Sequence, residues 1–181
     1  LVWLWPSLLL LAIVISVSEP YPFFRALAKS LGHRVLSGDA LNLPWIATWI
    51  HQAVTHGMAG LTGQVAGIPR APIWLRLPFK LLFAWQFLVL LYRYTKGAVT
   101  FERTLAYSLV GFLAYVTLSS GVHENHWFVP SFLAIVLLRF GRHWLAPAIA
   151  VGVVANLNLL LFYGVSGRGP DLSRVVGLDI S

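Results

Sequence analysis

The chain has 181 residues, 58% hydrophobic and only 10% charged, with a mean hydropathy of +0.76; an ordinary soluble domain carries about 25% charged residues, so the composition indicates an integral membrane protein. Cysteine is absent, which excludes disulfide and thiolate chemistry from this stretch. The net charge of +7 does not argue for nucleic acid, because the thirteen Lys and Arg sit at the ends of apolar segments, where snorkelling and topology account for them and anionic lipid headgroups or a phosphorylated lipid are the natural counter-charges.

Taken in chain order, residues 1–18 form an uncharged run long enough to cross a bilayer. The chain opens inside this run with Leu1-Val2-Trp3, without an initiator Met or a basic leader region, so it is expected to be a piece of a longer protein rather than to carry a signal peptide. Pro20 and Pro22 close the run. Residues 19–71 then make a long connection holding a helix over about 41–56. Its apolar part, Leu41 to Val54, is short for a full crossing and, with Trp45 and Trp49 one turn apart, reads as an interfacial or re-entrant helix. Gly57, Gly60, Gly63, Gly67, Pro69 and Pro72 mark a loop. Further spans are expected at 73–92, 104–120, 123–139 and 144–163, followed by a short polar tail over 164–181. The expected fold class is all-α: a polytopic bundle of about five transmembrane helices with an outer helical loop and essentially no sheet. There is no internal repeat.

If the spans alternate, the turns 93–103 and 139–143 share one face of the membrane and hold Arg93, Lys96, Arg103, Arg139 and Arg142, whereas the turn 121–126 opposite holds no Lys or Arg. By the positive-inside rule the basic turns are cytoplasmic and the 121–126 turn faces outward. Against this orientation, the long outer connection carries Arg25, Lys29, Arg34 and Arg70.

Two groups of residues carry candidate chemistry. The first is Gly121-Val122-His123-Glu124-Asn125-His126-Trp127, with three ionisable side chains between apolar runs; charge so close to hydrocarbon is costly and is usually retained for function. His123 and His126, with Glu124 beside them, could bind an anion, shuttle a proton or ligate a metal, or could simply form a polar interfacial turn. A metal fits poorly, since His-Glu-x-His is not the two-ligand His-Glu-x-x-His helix pattern, and His33, His51, His56 and His143 add no matching spacing. The second group lies in the outer connection. Arg25, Lys29, His33 and Arg34 precede Asp39, Asn42 and Trp45, an arrangement able to hold a lipid phosphate at the surface, or equally a plain amphipathic helix in which Asp39 and Asn42 form a cap or turn.

In order and spacing, Tyr21-Pro22-Phe23-Phe24-Arg25, Leu41-Asn42-Leu43-Pro44-Trp45 and the Gly-Val-His-Glu-Asn-His segment opening a membrane helix resemble the C-terminal half of GT-C type glycosyltransferases, and most closely the dolichyl-phosphate-glucose-dependent glucosyltransferases and their bacterial relatives. The resemblance covers most of residues 19–140. It implies a multispan enzyme of a bacterial inner membrane or of the endoplasmic reticulum, taking a sugar from a polyisoprenyl-phosphate donor on the non-cytoplasmic face, with no cofactor. By the same resemblance His123, Glu124, His126 and Arg25 bind the donor's phosphate or sugar, and Asp39, Asn42 and Trp45 position the loop. Two departures stand out. Asn125 occupies the place of a Lys in the eukaryotic relatives, and nothing here matches the family's catalytic carboxylate, which lies in the first outer loop, so no general base is assigned.

Two other classes of function are compatible with the same residues: a transporter or flippase of lipid-linked sugars, and a noncatalytic membrane subunit. A transporter should carry polar groups deep within its spans or paired broken helices; the deep polar residues here are Gln86, Ser108, Asn156 and Asn158.

Overall fold

The computed structural model describes residues 40–56 and 71–163 together with positions 9, 12, 13, 16, 25, 36 and 37. It contains two compact units, Leu1–His33 and Arg34–Ser181. Apart from those isolated positions, the expected span 1–18, the start of the outer connection, the Gly- and Pro-rich stretch 57–70, Asp39 and the tail 164–181 lie outside the described residues. In the first unit, Ser16 donates to the Ala12 carbonyl at 2.7 Å, as a hydroxyl one helical turn on would do.

The second unit is helical, with no strand among the described residues. Helix α1, Leu43–His56, starts where Asn42 caps it: the Asn42 Oδ1 accepts from the Trp45 backbone N–H at 2.8 Å, satisfying one of the donors that a helix start leaves orphaned. Helix α2, Ile73–Thr95, follows Pro72 and contains Pro78. Helix α3, Phe101–Leu118, is capped by Thr100, whose side chain accepts from the Arg103 N–H. Helix α4, Phe128–Leu137, carries Pro130 in its first turn, where the missing N–H has no helical partner to lose. Gly141 follows at φ 151°, a backbone that only glycine adopts without strain, and short 3-10 turns on either side of it lead into helix α5, Leu145–Tyr163.

Helix α3 is the centre of the unit, packed against α2 on one side and α4 on the other, with α5 against α4. One core cluster joins Leu109, Ala134, Leu137 and Val151. A second joins Ala40, Val116, Val122, Trp127 and Ala155, and so holds the chain preceding α1 against α3, α4 and α5.

Two helices, Ile73–Thr95 and Arg142–Leu160, are long and apolar enough to cross a membrane. The 23 residues of α2 span about 35 Å at 1.5 Å per residue, enough for a hydrocarbon core of about 30 Å. Helix α2 buries none of its residues fully, and Trp74, Leu81, Trp85 and Leu88 are each about 60% exposed or more; so large an exposed apolar surface suits hydrocarbon rather than water. Helix α3 starts with Glu102 and Arg103 in its first turn, and the apolar helix Asn125–Phe140 is shorter. A single helix was expected over 123–139. Instead a four-residue 3-10 turn, Glu124–Trp127, precedes α4, because the two histidines bond to each other at a spacing of three residues.

Candidate functional site

Beyond Leu118 the chain turns sharply. Gly121, at φ 78°, takes the left-handed conformation the turn requires, and its N–H donates to the Leu36 carbonyl at 3.1 Å. Val122 and Trp127 then enter the core, 0% and 6% exposed, and fix the turn at both ends. Between them, His123 and His126 are half-buried.

The two histidines cap each other. The His123 N–H donates to the His126 Nδ1 at 2.9 Å, and the His123 side chain accepts from the His126 backbone N–H. The His126 ring thus serves as an acceptor inside the turn and helps to close it. The rings lie 6.0 Å apart between centroids, and Tyr115 of α3 meets His126 edge-on at 5.4 Å.

The remaining sequence candidates divide. Arg25 is exposed and belongs to the Leu1–His33 unit, separate from the unit that holds the turn. Asn125 is exposed. The side chain of Glu124 and the whole of Asp39 lie outside the described residues. Asn42 is 4% exposed, caps α1 and accepts a second bond from Ser37 Oγ at 3.1 Å; Trp45 stands half-buried in the first turn of that helix. Asn158, noted in the sequence only as a deep polar residue, is fully buried and accepts from the Leu41 N–H at 2.6 Å. That bond ties α5 to the stretch before α1. Its sequence signal, one amide amid an apolar helix, gave no hint of the partner.

Tyr115 also opens onto an apolar groove of about 460 Å³ between α2 and α3, lined chiefly by Phe83, Phe87, Tyr94, Tyr107, Gly111 and Tyr115. Phe83 packs against both Phe87 and Tyr115, at 5.9 and 5.6 Å between ring centroids. Gly111 lines the groove beside Phe87, whose ring a Cβ there would meet at 3.9 Å, an ordinary contact.

At the other end of α3 the two basic turns meet. Glu102 accepts from Trp144 Nε1 at 2.8 Å and lies 3.2 Å from His143 Nε2. Arg103 donates to the Arg93 and Tyr94 carbonyls at 2.8 and 3.1 Å and lies over the Tyr94 and Tyr107 rings. Among the described residues no group of three or more His, Asp or Glu side chains could hold a metal ion. No family model matches this chain, and no curated protein or solved structure is significantly similar to it.

Proposed function

We propose that this chain is the C-terminal, donor-binding part of an integral membrane glycosyltransferase of the GT-C type, which moves a sugar from a polyisoprenyl phosphate on the non-cytoplasmic face. In this reading the 1–18 segment, α2, α3, α4 with its flanking 3-10 turns, and α5 are the five membrane spans, and α1 lies at the outer interface. The observation that carries the proposal is the continuity of two unlike surfaces through one residue: Tyr115 lines the apolar groove and touches His126 in the histidine-capped turn. A lipid with an anionic head has this same division, a hydrocarbon chain joined to a phosphate at the membrane edge.

The chemistry follows from the charge that develops. Transfer leaves negative charge on the departing phosphate, and hydrogen-bond donors fixed in advance at a dehydrated edge stabilise it without reorganising. His123 and His126 supply such donors in this scheme, and Glu124 orients a histidine or binds a sugar hydroxyl. The catalytic carboxylate comes from an earlier loop of the enzyme. A transporter reading is weaker, because the deep Asn158 is already used in a structural bond to Leu41.

In the complete enzyme, His123→Ala is expected to lower sugar transfer from a polyisoprenyl-phosphate sugar by about 10²-fold or more, the scale of losing an oxyanion donor, with expression and membrane insertion intact. Unchanged turnover would remove the histidines from the reaction.

A further inference from the structure

The groove between α2 and α3 has two unlike ends. Around Tyr115 its walls are Phe83 and Phe87, whereas toward the turn that joins the helices they carry the hydroxyl-bearing Tyr94, Thr104 and Tyr107. The Tyr94 hydroxyl meets Thr104 Oγ1 at 2.9 Å, and the Tyr94 ring packs edge-on against Tyr107 at 5.4 Å between centroids. Arg103 lies across these two rings, its guanidinium carbon 5.8 and 5.1 Å from their centres. It can lie back over the turn because residue 97 is glycine: a Cβ there would collide with the guanidinium.

From Thr104 to Tyr115 the groove follows α3 for about 17 Å at 1.5 Å per residue. That is close to half the depth of a hydrocarbon core of about 30 Å, the length of an acyl chain in one leaflet. Charge selects the leaflet. The turns at the Tyr94 end carry Arg93, Lys96, Arg103, Arg139 and Arg142 against one carboxylate, Glu102, and the contact of Phe101 with Phe140 brings both turns to the same end of α3. Lys and Arg at a membrane surface attract anionic lipid. We propose that the Tyr94–Thr104 end of this groove is a site for an anionic phospholipid, with one acyl chain lying between α2 and α3 and the phosphate beside Arg103. The inference goes beyond sugar transfer and does not rest on it; the donor's tail, entering beside Tyr115, would take the same groove in turn.

The test is native mass spectrometry of the full chain in detergent micelles, titrated with phosphatidylglycerol or, as the zwitterionic control, phosphatidylcholine. Wild type is expected to retain one phosphatidylglycerol about fivefold more tightly than phosphatidylcholine, the scale of one cation at a membrane surface. Arg103→Gln removes the charge, and Gly97→Ala keeps it but displaces the guanidinium; each should erase the preference and leave phosphatidylcholine retention as in wild type. Gly111→Leu fills the place of the chain and should weaken both lipids. The double variant Arg139→Gln, Arg142→Gln removes more charge from the same end and should keep most of the preference. If Arg103→Gln fails to fold, Gly97→Ala and Gly111→Leu decide. No preference in wild type, or a loss in the double variant as large as in Arg103→Gln, leaves only diffuse attraction to the basic turns and overturns the site. Undiminished retention by Gly111→Leu takes the chain out of the groove and overturns it as well. A preference lost in His123→Ala but kept in Arg103→Gln puts the phosphate at the histidine turn, which overturns this site and leaves the donor reading standing.

Discussion

The two ends of α3 are polar in opposite ways. At the Glu102 end most charges stand at the surface: Glu102 holds Trp144 and His143, Arg103 holds two carbonyls while its Nε is buried without a partner, and Arg93, Lys96, Arg139 and Arg142 remain exposed. At the Ser119 end there is no Lys or Arg in the turn, yet the polar atoms lie inside, some bonded across the fold and some unanswered. Exposed charge leaves the packing of the helices open, whereas buried polar groups such as Asn158 fix which segments meet. An argument from charge alone reads the first end and passes over the second.

If the buried end sets the arrangement, its bonds should be the costliest to break. Asn158→Leu keeps the volume but leaves the part-buried Leu41 N–H without its acceptor, and thermal or denaturant unfolding in detergent should register a loss of about 1–3 kcal/mol. Glu102→Ala removes the acceptor of the Trp144 indole at the half-exposed end. Here the expected loss is about 1 kcal/mol, reduced by solvent screening on a carboxylate 37% exposed. A larger loss for Glu102→Ala than for Asn158→Leu would reverse the comparison. Smaller again is the effect expected of Gly111→Ala: its Cβ meets only an ordinary contact at 3.9 Å, so stability should stay within about 0.5 kcal/mol. Gly111→Leu projects into the groove beside Phe87 instead and should raise KM for the lipid-linked donor while leaving the protein folded. An unchanged KM would detach the groove from the histidine turn.

Much of the helical order could be read along the chain, because the lengths of apolar runs, the prolines and the capping residues act locally. Asn42 stands at the start of α1, Pro72 at the start of α2, and the basic turn after Tyr92 ends that helix within a few residues. The His-Glu-Asn-His segment could also be picked out as unusual, since charge beside hydrocarbon is conspicuous in any sequence. Less legible was what the histidines do to each other. The sequence left them as groups able to bind an anion, shuttle a proton or ligate a metal at the start of one long helix, and the structure makes them a reciprocal cap in a 3-10 turn, with the His126 Nδ1 accepting.

By itself the sequence determined a helical, largely apolar chain with its charge in turns, because hydropathy and propensity are properties of neighbouring residues. Only the tertiary structure decided that Leu41 meets Asn158 across 117 positions, that Tyr115 joins the groove to His126, and that Gly121 donates to the Leu36 carbonyl. Such pairings depend on which helix faces come together. That is a choice made by packing over the whole unit, and no local pattern encodes it.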